Sequence, residues 1–235
     1  MEGGALKKVI IFGNQELSEL LYYYLKHDSE YEVVGFTVDG AYLKEETFSG
    51  LPIVPFESVE TIYPPTTHLM SMLLGYRNVN KFRATKYAEA KEKGYRFARY
   101  VSSHAVVWPN VVIGENSFVL ERAILQPFSS VGNNVVVSPT SFIGHHSVVK
   151  DHCFISSGIT MLGHVTVEPY NVLGAGVTIM DGSTIAQGCI VGGGSVISKD
   201  TVEFGVYTGS AATLHPKSSR EIGRILTWAN DTRQG

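Results

Sequence analysis

Only two cysteines, Cys153 and Cys189, occur in 235 residues, so no disulfide framework organises this chain. Basic side chains are outnumbered, 19 Lys and Arg against 22 Asp and Glu. The resulting charge of −3 argues against a nucleic-acid surface, which needs a basic excess. No apolar run reaches the roughly 20 residues of a membrane span, and the opening MEGGALKK lacks the apolar stretch of a signal peptide. A dinucleotide fingerprint is missing too. The first glycine turn, Gly13-Asn14-Gln15-Glu16, is not followed by the second and third glycines that admit a pyrophosphate. These absences leave a cytoplasmic protein with no membrane insertion, no nucleic acid and no redox dinucleotide. Its 44% hydrophobic residues suffice for a core in one or two domains.

What is present is a register. From Val101 to Thr201 the chain divides into seventeen hexapeptides, with an apolar residue opening each one (Val101, Val107, Ile113, Val119, Leu125 and onward to Ile197). Position five is small or β-branched almost throughout, as at Ser117, Ala123, Ser141 and Ser195. Glycine recurs at position two (Gly114, Gly132, Gly144, Gly174, Gly192), read as a corner that needs a permissive backbone. A short fixed period means a solenoid whose repeats bury their apolar faces only by stacking. One strand and one turn per six residues gives a triangular coil of eighteen, and hence a left-handed parallel β-helix. Cys153 and Cys189 fall at inward position five, two coils apart. At about 4.8 Å per layer they are about 10 Å apart, too far for a disulfide, and serve as core fillers in a reducing compartment.

The segment before the solenoid alternates instead. Lys8–Phe12 reads as a strand and Leu17, Leu20, Leu21, Tyr24 and Leu25 as the apolar face of a helix. Glu32–Val38 and Leu69–Leu74 read as further strands, and a charged helix around Asn78–Lys93 stops at Gly94. The expected organisation is mixed: a small Rossmann-like α/β domain (1–100), a β-helix domain (101–202), and a loop with a capping helix at 219–230 (203–235). Ligands collect at strand ends in open α/β sheets, which makes Gly13, Asn14 and Asp39 candidate substrate contacts. A tight turn with no ligand explains Gly13 and Asn14 equally well.

Residues eighteen apart share a corner of successive coils. One corner stacks Gly144-His145-His146, Leu162-Gly163-His164 and Met180-Asp181-Gly182. A second stacks Lys150-Asp151-His152, Glu168-Pro169-Tyr170 and Ala186-Gln187-Gly188, and reads as a solvated edge. The third, Ser156-Ser157-Gly158, Gly174-Ala175-Gly176 and Gly192-Gly193-Gly194, is stripped of side chains. A bare strip lets a long thin ligand lie against backbone, and the pantetheine arm of coenzyme A has that shape. The histidine corner and the bare corner lie on different vertices, so a cyclic homotrimer is expected to bring them together across an interface.

The solenoid resembles the hexapeptide-repeat acyltransferases. The whole chain resembles the sugar acyltransferase family that includes the bacillosamine-pathway N-acetyltransferase and the sialic-acid O-acetyltransferases. The shared pattern includes Gly75-Tyr76-Arg77-Asn78, Arg83, Lys93-Gly94-Tyr95, Val101-Ser102-Ser103-His104-Ala105 and Val206–Ala211. The resemblance implies acetyl-CoA as acyl donor, a nucleotide-linked amino sugar as acceptor, and no metal. It implies His145 as catalytic base; the adjacent His146 is a candidate for a supporting role and equally for none. The resemblance places the cofactor contacts at Gly163, Ala175 and Gly193, and the adjoining column residues His164, Gly176 and Gly194 complete the candidate set. In that family a carboxylate usually adjoins the base, whereas Gly144 and His146 flank His145 here; Asp181, on the same column, is the candidate replacement. Transfer to a sugar hydroxyl is the first alternative. A carbonic-anhydrase-like metal enzyme is the second, disfavoured because the neighbouring side chains of His145 and His146 are expected to diverge.

Overall fold

In a computed structural model, the structure describes residues 7–209 together with Ala211, Leu214, Pro216 and Ser218. The proposed capping helix at 219–230 lies outside the described residues. The N-terminal region is a five-stranded sheet in the order β3-β4-β2-β1-β5. Its strands are β1 (Lys7–Phe12), β2 (Tyr31–Val38), β3 (Thr47–Phe48), β4 (Leu51–Pro55) and β5 (Leu69–Ser71). β1 lies parallel to β2 and β5, and β2 is parallel to β4. Helix α1 (Glu16–His27) buries Leu21 and Leu25 against this sheet, α2 is a single turn (Val59–Ile62), and α3 spans Lys81–Glu92. The β3–β4 hairpin escaped the sequence reading because Pro52 and Pro55 obscure the strand pattern; both sit on a strand that pairs along one edge only over its last three residues.

Each hexapeptide contributes one two-residue strand, from Tyr100–Val101 to Val196–Ile197, and every partner is parallel and eighteen residues away. The strands assemble into three sheets of seven, six and five, the walls of a left-handed triangular β-helix. Position one points inward, so Leu125, Ile143, Met161 and Ile179 stack into one fully buried column. Cys153 and Cys189 are buried free thiols, and burial pushes the Cys153 thiol up to about 12. Glu203–Gly209 is not only loop: Val206–Tyr207 forms a last strand on the seven-stranded sheet, with Val206 opposite Ile190. That spacing is sixteen rather than eighteen, which hid the strand from a six-residue count.

The corners need a left-handed residue, but at position four rather than position two. Every position four from Asn116 to Gly194 has positive φ, and nine of these fourteen are not glycine, including Phe128 (65°), Thr140 (61°) and His146 (57°). Position-two glycines answer a different demand. A Cβ on Gly114 would sit 2.6 Å from the backbone carbon of Gly132, and one on Gly174 would sit 2.6 Å from the Gly193 nitrogen. Coils stack too closely there for a side chain.

The α/β domain sits on the seven-stranded sheet. Its outward residues Tyr100, Phe118 and Val136 are buried in a common cluster with Leu21, Phe36 and Leu73. The corner expected to be a solvated edge is where this domain docks. Asn116 and Asn134, at position four there, are fully buried, and Asn116 accepts from the Met72 amide (2.8 Å) while donating to the Met72 carbonyl (3.1 Å). Arg83 of α3 is fully buried and donates to Asn80 Oδ1, His152 O and Cys153 O at 3.0–3.2 Å. No carboxylate among the described residues pairs with it, and burial lowers its guanidinium to about 10. Only the outer residues of this corner are solvated, as in the exposed Lys150–Glu168 pair. Asp28, following α1, accepts from Tyr100, Ser102 and the Ser103 amide. Partial burial opposes its charge, but these donors hold the carboxyl down at about 2.

Candidate active site

His145 and His146 leave the strand Phe142–Ile143 at a corner between the six- and five-stranded sheets. Both are exposed, as is His164 one coil further on. The left-handed backbone of His146 turns its ring back toward its neighbour, so the two side chains converge rather than diverge. Their Nδ1 atoms are 3.2 Å apart. His146 is clamped in a column, stacked on His164 at 4.9 Å and on Phe128 at 4.8 Å between ring centroids. His145 stands edge-on to both histidines, 5.3 Å from His146 and 5.1 Å from His164.

The contact between the Nδ1 atoms fixes the chemistry of the pair. A hydrogen bond between them requires that one of the two carry the proton. If His145 donates from Nδ1 to His146, the His145 Nε2 lone pair is free to take a proton from a bound nucleophile. His146 then plays the orienting part that a carboxylate plays in the resembled family, as a neutral acceptor. Asp181 makes no hydrogen bond to His145; its Oδ1 accepts from the Gly163 amide at 2.9 Å. Gly163 is buried and makes room for the His145 ring: a Cβ there would lie 2.6 Å from His145 Cε1. The backbone of His145 is held by Gln126, whose Oε1 accepts its amide at 3.0 Å. Gln126 and Phe128 were missed in the sequence, although Phe128 stands eighteen residues before His146 and was legible on the column.

The bare corner, between the seven- and six-stranded sheets, exposes Ser157, Gly158, Ala175, Gly176, Gly193 and Gly194. Gly176 and Gly194 have φ of 68° and 69°, yet Phe128 and His146 hold the same position with the same sign of φ. The backbone therefore tolerates large residues at position four, and the strip is bare by composition. A Cβ on Gly194 would meet nothing within 4 Å, and one on Gly193 would press on the Ala175 carbonyl at 3.0 Å.

Gly13, Asn14 and Asp39 line one cavity of about 730 Å³ at the ends of β1 and β2, with Tyr42, Lys44 and Arg77. Gly13 also has a structural duty: its φ is +119°, and a Cβ would collide with Ser18 Oγ. Asp39 is neutralised by Lys86 at 2.7 Å. Burial opposes the Lys86 charge, but Asp39 and Glu89 outweigh it and hold the ammonium above its ordinary value. The free cations facing the cavity are then Lys44 and Arg77. A larger cavity, about 890 Å³, lies elsewhere, between α3 and the docked corner.

Fold and site define a solenoid with an N-terminal α/β domain, carrying a histidine corner and a bare corner. No protein-family model and no curated protein matches the sequence. Solved structures do match. PerB of Caulobacter crescentus, in complex with CoA and GDP-perosamine, is 20% identical, covering 87% of this chain and 95% of its own at a TM-score of 0.77. The acetyltransferase domain of PglB from Neisseria gonorrhoeae is 20% identical over 86% of this chain and 97% of that one, at 0.75. WeeI from Acinetobacter baumannii is 18% identical, 86% and 96%, at 0.69. The likeness in fold to these structures thus extends across both parts of the chain. No helix among the described residues is long and apolar enough to cross a membrane.

Proposed function

We propose that this chain is an acyl-CoA-dependent acyltransferase that acetylates the amine of a nucleotide-activated amino sugar. The observation carrying this reading is the base-competent His145–His146 pair, 3.2 Å apart at Nδ1, on a two-part fold shared with a perosamine N-acetyltransferase solved with CoA and GDP-perosamine. The acceptor amine adds to the thioester carbonyl while His145 Nε2 takes its proton; the tetrahedral adduct expels the CoA thiolate, which is reprotonated. No acyl-enzyme forms, since both cysteines are buried in the solenoid. His146 orients the base through Nδ1.

The nucleotide-sugar assignment is supported by the cavity at Gly13, Asn14 and Asp39, where Lys44 and Arg77 suit a diphosphate. The acyl-CoA assignment is supported by the exposed strip of Ala175, Gly176, Gly193 and Gly194, with Gly163 and His164 at the neighbouring corner. Histidine corner and bare corner are different vertices of one coil, so the proposal includes a cyclic homotrimer in which two copies complete each site. Exposed apolar residues on the two free walls, Val112 at 67% and Ile124 at 38%, suit such an interface.

The test is acetyl-CoA turnover, followed as free thiol, with UDP-, dTDP-, GDP- and CMP-linked sugars bearing either a free amine or only hydroxyls. Turnover with an amino sugar alone is expected. Turnover only with hydroxyl acceptors overturns the N-acyl assignment, and none with any sugar overturns the acyltransferase reading.

A further inference from the structure

The histidine corner has a second capability that acid–base chemistry does not use. His145, His146 and His164 each offer a ring nitrogen, and all three donor atoms lie within 4.8 Å of one another. Around a tetrahedral ion with metal–nitrogen bonds of about 2.0–2.1 Å, neighbouring ligand atoms lie about 3.3–3.4 Å apart. The His145 and His146 Nδ1 atoms, at 3.2 Å, already stand at that separation. When both Nδ1 atoms are unprotonated their lone pairs oppose each other, and a shared cation relieves that opposition as well as a proton does. His164, exposed and stacked under His146, needs only a side-chain rotation to supply the third nitrogen. The fourth position faces solvent. Nitrogen-only donors select a borderline divalent transition ion over Mg²⁺ or Ca²⁺.

We infer that His145, His146 and His164 form a site for one Zn²⁺-class ion per chain, and that its occupancy switches the acyl transfer off. The switching half rests on the acyltransferase reading; the binding half does not. A neutral imidazole carries one proton. When His145 gives its Nδ1 lone pair to the metal, the proton resides on Nε2, and that nitrogen can no longer accept one from the substrate. The ion is thus a competitor for the base and not a cofactor of the reaction.

The experiment uses chelator-treated, untagged full-length protein titrated with Co²⁺, whose visible absorption reports imidazole coordination, and then with Zn²⁺ in competition. One equivalent per chain is expected, with a dissociation constant tighter than about 10 µM. Replacing the third ligand, His164→Gln, should weaken binding by at least about 100-fold, beyond the roughly 10–100-fold typical of losing an outer-shell partner. Zn²⁺ should inhibit turnover with a half-point matching its dissociation constant, displaced equally by His164→Gln. The thermal midpoint of that variant without metal controls for folding, and His145→Gln serves as the second ligand variant if it shifts. Equal binding by wild type and by a His146→Ala/His164→Ala variant overturns the site. Turnover that rises with Zn²⁺ overturns the switch. Metal binding without any acyl transfer leaves the site standing and refutes the acyltransferase reading, whereas zinc-insensitive turnover with no Co²⁺ spectrum does the reverse.

Discussion

His146 and His152 occupy the same position of consecutive hexapeptides, with nearly the same left-handed backbone, φ 57° and 62°. Each stacks on the residue eighteen ahead, His146 on His164 and His152 on Tyr170. Their surroundings divide them. The α/β domain covers the corner of His152, where Asn134 contacts its Nδ1 at 2.9 Å and Arg83 takes its carbonyl. None of the described residues covers the corner of His146, and its Nδ1 faces another histidine. One ladder became a domain joint, the other a candidate site. Position in a repeat sets where a side chain points; what packs against that corner sets what the side chain does.

The largest effect is expected where the exposed ladder meets substrate. His145→Ala should lower kcat by about 10²–10⁴-fold, the usual weight of a general base, with acetyl-CoA binding unchanged in a direct titration. A variant that keeps kcat within a factor of two would make the exposed ladder as passive as the buried one.

On the docked side, Arg83→Ala should cost about 3 kcal/mol or more in urea unfolding, from the cavity and the carbonyls left unpaired. The buried guanidinium has its own desolvation to offset, and its Nε and Nη1 have no partner. Arg83→Met should therefore be milder than Arg83→Ala. Equal losses would show that the charge, not the packing, holds the joint.

His146 sharpens the comparison at smaller scale. Losing the orienting hydrogen bond in His146→Ala should cost about tenfold in kcat, the equivalent of one such bond. His146→Asn, which tolerates the left-handed backbone and retains an acceptor, should recover most of it. Identical rates for the two variants would remove His146 from the mechanism.

The smallest effect is a pH dependence confined to the buried ladder. Burial lowers the His152 pKa, outweighing the nearby Asp151. The unfolded chain thus binds a proton that the folded one resists. Stability should be full above the unfolded value of about 6.5 and fall as pH drops below it. His152→Asn should flatten that slope in denaturant titrations between pH 7 and 5. An unchanged slope would assign it to other groups.

Much of the fold was legible because hexapeptide stacking is nearly one-dimensional: each residue's neighbours lie eighteen positions away, so Leu125, Ile143 and Met161 announce their column in the sequence. The same arithmetic placed His145, His146 and His164 at one vertex. It did not show that His145 and His146 converge, because that depends on φ at His146. It also assigned position-two glycines to backbone freedom, when Gly114 and Gly174 answer the close approach of the next coil. The docked corner was misread as solvated because Lys150, Asp151, Glu168 and Gln187 make it bulky and polar, whereas the α/β domain covers its inner side, where Met72 pairs with Asn116 and Arg83 takes the His152 carbonyl.

The sequence alone determined the solenoid, its register, the α/β domain before it and the vertices that carry histidine or glycine, since all of these follow from periodicities within a few tens of residues. The tertiary structure decided which corner the α/β domain covers and which nitrogen faces which. Those outcomes depend on contacts between segments with no fixed spacing, as Arg83 to Cys153 or Met72 to Asn116, and no period in the chain encodes them.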